Sequence, residues 1–206
     1  TMNVNPPIMN IPIQIQTEQG RRLVINFTNH FNDSSLGLRP STNYFFTSDD
    51  DGYTWDQRAR FGAGGGFSIP FGMGQIAQIP SGELYCEIVY SSGDSWLVES
   101  LDFGATWKLF ENSRYSAGLG EPNQPGWFAS LYWDVEGKCL YRHAGWGYGT
   151  LWRMTNPTPS GIKNKKYTRI FVGDSQNNIA GDNCSKIFLM PSGNVAIRVN
   201  RGTVAG

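Results

Sequence analysis

Four stretches of the chain share one pattern: an alternating β-rich run, a polar turn containing glycine, and a second alternating run. They are "IQTEQGRRLVINF" turning at Gly20, "AQIPSGELYCEIVY" at Gly82, "LYWDVEGKCLYRHA" at Gly137 and "IFLMPSGNVAIRVN" at Gly193. Each predicts an antiparallel hairpin. The glycines are separated by 62, 55 and 56 residues. After the first hairpin, "NYFFTSDDDGYTW" predicts another strand, a tight turn and a returning strand, and "WLVESLDFGATWKLF" does the same after the second. A unit is therefore two hairpins, or four antiparallel strands.

A repeated four-stranded unit of about 55 residues predicts an all-β fold, a β-propeller, because a small sheet cannot bury both faces alone and must stack on neighbours. The blades fall at 11–66, 67–120, 121–174 and 175–206, all within a single domain. The third replaces the tight turn with a longer proline-containing loop in "GTLWRMTNPTPSGIKNKKYTRIFV", and the fourth has one hairpin. That makes about three and a half blades, against the four or more of a closed propeller. The expectation is a fragment of a longer polypeptide. Completion by another chain, irregular closure and a β-sandwich are the alternatives.

The tight turns carry a motif. "SDDDGYTW" and "SLDFGATW" both read S-x-D-x-G-x-T-W, through Ser48, Asp50, Gly52, Thr54 and Trp55 and through Ser100, Asp102, Gly104, Thr106 and Trp107. From average residue usage, one match at a given start has odds of roughly one in a million or less. The aspartates can accept backbone N–H bonds two residues on, as in an Asx-turn, the glycines tolerate φ > 0, the threonines start the returning strand, and the tryptophans supply apolar bodies to pack beneath the turn. These are structural roles.

The two motifs resemble the Asp-box, or bacterial neuraminidase repeat, of sialidases, sortilin-type receptors, secreted glycan-active proteins and phage tail proteins. The resemblance places each box between the third and fourth strands of a blade, on the rim away from any active centre. It also implies what a sialidase would need: three arginines gripping the substrate carboxylate bidentately, a Tyr nucleophile activated by a Glu, and an Asp acid. Arg142 and Arg198, each five residues after its turn glycine, resemble family arginines on the second strand of a blade and are the catalytic candidates. The other parts are missing. "FGMGQIAQIPSG" has no arginine where an Arg-Ile-Pro motif would stand, and "GDNCSKIFLMPSG" has no Glu ahead of Arg198. No Tyr is assignable as nucleophile. Asp94, Glu87, Glu99 and Asp134 are available for a paired-carboxylate glycosidase, but their spacing selects no pair.

Binding residues are sought instead among aromatics in predicted loops: Trp96 in "GDSW", Trp127 in "QPGWF", and His143, Trp146 and Tyr148 in "HAGWGYG". Aromatic rings stack on sugar faces while amides and guanidinium groups bond to hydroxyls. The reading that follows is a non-catalytic propeller that binds a glycan or cell-surface receptor, or has a structural role in an assembly. A sialidase-type glycoside hydrolase, exo or endo, is the alternative.

Charge and cysteines narrow the partners. Lys plus Arg equal Asp plus Glu at 17 each, so no global field draws nucleic acid or an anionic membrane. No apolar run approaches the roughly 20 residues of a membrane span, and "TMNVNPPIMNIPIQIQ" lacks the regions of a signal peptide. Two histidines without metal-ligand spacing predict no metal, and a glycine-rich "FGAGGGFSIPFGMG" without Lys-Ser/Thr predicts no nucleotide cofactor. Cys86, Cys139 and Cys184 are odd in number and read as buried thiols formed in a reducing cytosol. By analogy these features suit a phage tail or tail-fibre protein, released to a virion or extracellular location, with further subunits or more of the same polypeptide as partners.

Overall fold

Alternation along the strands sets the architecture. In β8 (Leu84–Tyr90), Leu84, Cys86 and Ile88 join one apolar cluster while Tyr85, on the opposite face, joins another. A strand buried on both faces belongs to a sheet sandwiched between two others. The computed structural model describes residues 8–9, 12–29, 42–62, 70–90, 95–110, 130–144, 150–172, 183–189 and 195–200. They are mostly antiparallel β-sheet.

The first sheet runs β1 (Ile8–Met9) and β2 (Ile13–Thr17), both on β3 (Gly20–Asn29), then β4 (Thr42–Ser48) and β5 (Asp56–Gly62). The second repeats this, with β6 (Pro70–Met73) and β7 (Ala77–Gln78) both on β8, then β9 (Ser95–Ser100) and β10 (Lys108–Leu109). The third is β11 (Ser130–Asp134), β12 (Cys139–Ala144), β13 (Thr150–Thr155) and β14 (Thr168–Val172), and the fourth pairs β15 (Asn183–Leu189) with β16 (Val195–Asn200). Each predicted hairpin is therefore present. Each sheet after the first begins with a strand lying against the preceding sheet: β6 against β3 and β4, β11 against β7 and β8, β15 against β11 and β12. Among the described residues the four sheets do not close into a ring.

Two clusters hold the series together. Ile15, Val24, Phe45, Leu84, Val98 and Trp107 fill the space between the first and second sheets. Tyr85, Leu97, Leu131, Leu140, Met154 and Ile162 fill that between the second and third. Each buried Leu, Ile or Val contributes about 1.5–3 kcal/mol. Ile162 comes from α1 (Pro159–Lys163), one helical turn inside the loop that replaces the third box. Thr158 caps it, its hydroxyl accepting from the Gly161 amide, and Ile162 is fully buried. Lys163–Arg169, by its sequence a solvated hairpin loop, is exposed at Asn164, Lys166, Thr168 and Arg169. At its ends, however, Lys163 closes α1 and reaches the buried Glu99 carboxylate at 3.0 Å, and Thr168 and Arg169 open β14.

Candidate functional site

Both boxes join the third and fourth ranks of their sheets, β4 to β5 and β9 to β10, and their bonds superimpose. The Ser48 hydroxyl donates to Asp50 Oδ1 at 2.8 Å and accepts the Gly52 amide at 2.8 Å. Asp50 accepts the Thr54 amide at 2.8 Å and the Thr54 hydroxyl at 2.6 Å, and the Trp55 indole donates to Gly52 O at 3.0 Å. Ser100, Asp102, Gly104, Thr106 and Trp107 give the same five contacts at 2.8, 2.8, 2.8, 2.6 and 3.1 Å. The aspartates thus reach four residues on rather than two, since the serine hydroxyl takes the nearer amide. Gly52 and Gly104 have φ of 92° and 83°, where a side chain is strained.

These bonds hold both carboxyls below the usual range. Bonds from the Thr54 hydroxyl and amide do so at Asp50. At Asp102, burial pushes upward, and bonds from Thr106 and Ser100 outweigh it. Arg22 links the boxes, gripping Asp49 at 2.6 and 2.8 Å and donating to Phe103 O at 3.2 Å. Nothing in the motif points to Arg22. Its partners lie 27 residues away, at Asp49, and 81 residues away, at Phe103.

Arg142 lies in β12 opposite Trp152, fully buried between the second and third sheets. Its Nε and Nη2 donate to Glu87 Oε1 and Oε2 at 2.5 and 2.9 Å, and its guanidinium lies 4.8 Å from the Trp152 ring centroid. Glu87 is equally buried. Glu87 and Arg142 are each five residues past a turn glycine, yet they meet from opposite sides of one interface. The reason is turn length. Gln78 pairs with Leu84 across five residues, whereas Asp134 pairs with Cys139 across four, which flips the following strand. Leu189 pairs with Val195 across five, so Arg198 shares the register position of Glu87, not that of Arg142.

Trp96 packs against the cluster between the first two sheets. His143 pairs in register with Ser130 and Leu151, and Arg198 with Lys186. Trp127, Trp146, Tyr148 and Asp94 lie outside the described residues. Of the other carboxylates, Glu99 is buried against Lys163 and Lys108, and Asp134 accepts the Gly137 amide at 3.0 Å. Among the described residues no group of His, Cys, Asp and Glu is placed to hold a metal, and no helix is long and apolar enough to cross a membrane. Cys86 and Cys139 are free and buried.

A site that the motifs do not announce opens at the box end. A cleft of about 650 Å³ is lined by Gln14 and Gln16 of β2, Gln75 and Gln78 around β7, and Tyr132 and Trp133 of β11, with Phe103 of the second box in its wall. A second cleft, about 580 Å³, shares Pro80, Trp133 and Val135 with the first and continues to Lys138 and Thr158. Gln16 and Gln78 donate to turn carbonyls, Thr17 O at 3.3 Å and Gly82 O at 3.2 Å. The sequence signal is weak: glutamine alternates with isoleucine in "IQIQ", as on the polar face of any strand, and in "QIAQI" Gln75 and Gln78 stand three residues apart, off that period.

No known family model matches the chain. No curated protein matches it either. Among solved structures, the chain is similar to a protein of unknown function from Dyadobacter fermentans, at 15% identity over 76% of this chain, with a TM-score of 0.44. The chain spans 40% of that protein's length. A likeness this distant bears on neither activity nor ligand.

Proposed function

We propose that this chain is a non-catalytic Asp-box β-propeller that binds a carbohydrate or a cell-surface receptor, as part of a phage tail or another extracellular assembly. Further subunits or more of the same polypeptide complete it. The propeller reading is supported by four sheets in series, each after the first opening with a strand on its predecessor, and by boxes at the turn between third and fourth ranks. The absence of catalysis is supported chiefly by Arg142. Its guanidinium is 0% exposed and already holds a carboxylate bidentately, that of Glu87, so a substrate carboxylate would have to displace it from a buried pair.

The test assays the chain for release of the fluorophore from a fluorogenic sialoside and for shortening of polysialic acid, beside stability measurements. No turnover is expected. Arg142→Met is expected to cost about 3–5 kcal/mol by stranding Glu87, and the double change Arg142→Met with Glu87→Leu to recover most of it. Turnover that disappears in Arg142→Met, with stability unchanged, would overturn the proposal in favour of a sialidase-type hydrolase.

A further inference from the structure

Resting on the reading of this chain as a binding propeller, we propose that the cleft at the box end binds a neutral oligosaccharide, with a sugar ring stacked on Trp133. The first argument is charge. Among the described residues lining the larger cleft, none is charged: its polar side chains are the four glutamines, Ser81 and Tyr132. A carboxylate or phosphate would give up its hydration there without meeting a cation, whereas an uncharged polyol loses much less. The second is the match of groups. A glutamine amide offers two donors and a carbonyl acceptor, which suits adjacent hydroxyls that both donate and accept. Trp133 supplies an amphipathic platform for a sugar's C–H face.

The third argument is preorganisation. Gln14 and Gln16, Gln78, and Tyr132 and Trp133 stand on β2, β7 and β11, one strand from each of three packed sheets, and the turn residues Pro80, Ser81 and Phe103 complete the wall, so the main polar and aromatic groups are held on sheet. Gln16 and Gln78 are tied to turn carbonyls, and Phe103 belongs to a turn whose Phe103 O accepts from Arg22. The boxes thereby hold the wall of a binding cleft. Extent is the last point. The second cleft shares Trp133 and Pro80 with the first and adds one charged residue, Lys138, and each volume lies within the roughly 300–1,000 Å³ of small-ligand sites. Together they accommodate more than one sugar unit.

The experiment titrates the chain with maltohexaose, cellohexaose and chitohexaose, and separately with 3′-sialyllactose, following tryptophan fluorescence and backbone amide chemical shifts. Expected is saturable binding of at least one neutral hexamer, with shifts at Gln14, Gln78 and Trp133 and little response to 3′-sialyllactose. Gln14→Ala, a change at an exposed strand position, and Trp133→Phe, which keeps an apolar ring for packing, are each expected to weaken it about tenfold or more. Failure of all three neutral hexamers, or binding that both variants leave unchanged, overturns the cleft proposal. A glycan that shifts residues elsewhere overturns the cleft and spares the binding-propeller reading, whereas hydrolysis of 3′-sialyllactose overturns that reading itself. Stronger binding of 3′-sialyllactose at the same residues overturns the assignment to neutral sugars.

Discussion

Trp55 and Trp107 close the same turn with the same indole bond, yet Trp55 is 36% exposed and Trp107 is 9% exposed. The difference lies in what stands beside each box. Trp107 tilts onto Phe45 of the preceding sheet with ring centroids 4.2 Å apart, and an added Cβ on Gly104 would meet Thr47, Val24 and Leu84 at 3.4 Å. At the first box the nearest atoms to such a Cβ are Trp55's own ring, at 3.6 Å, and Leu23 of the same sheet. The internal bonds are the same at both sites, so the motif folds the turn and the neighbouring sheet determines how much that turn stabilises the protein.

The largest effect expected from this comparison is at the tryptophans. Trp107→Ala should cost about 3–5 kcal/mol, as for a buried aromatic, and Trp55→Ala about 1 kcal/mol. Urea midpoints of the two variants decide it. Equal losses would show that packing against the first sheet contributes little. Next are the glycines. Gly52→Ala should cost about 1–2 kcal/mol from its positive φ alone, and Gly104→Ala about 1–3 kcal/mol more, because its neighbours must also move. A loss at Gly104 no greater than at Gly52 would mean that Thr47 and Val24 yield freely.

The smallest effect concerns acid. Both box carboxyls titrate lower in the folded chain than in the unfolded one, so their contribution is present above about pH 4 and is lost as pH falls through the folded values. Asp50→Asn and Asp102→Asn should each flatten the stability profile below pH 4 and leave its slope at neutral pH unchanged. An acid limb as steep as that of the parent chain in both variants would remove these carboxyls from the acid response.

The hairpins, their order and the positions of the box turns were legible in the sequence because each rests on local pattern, alternation and turn glycines. The bonding inside the boxes was legible only in part, since the serine hydroxyl takes the amide that an Asx-turn would give to the aspartate. Interactions between sheets were not legible. Arg142 on a strand reads as a ligand clamp until Glu87 appears across the interface, and only the difference between four- and five-residue turns fixes which faces meet. The replacement of the third box by a helical turn was hidden for a similar reason, since Ile162 fills the next interface without resembling a tryptophan. The glutamine cleft was hidden because its residues come from three hairpins.

Cys86 sits fully buried between the first and second sheets, where its thiol donates to Gly74 O at 3.2 Å and accepts from the Asn26 amide at 3.0 Å. Burial, with the Glu87 charge beside it, pushes its pKa well up, so the thiolate that reacts with electrophiles and oxidants is scarce as well as sealed away. Chemical modification at this sulfur must wait for the two sheets to part. The rate of that reaction is thus a clock for breathing of the assembly, set by a sub-global opening that no equilibrium contact reveals.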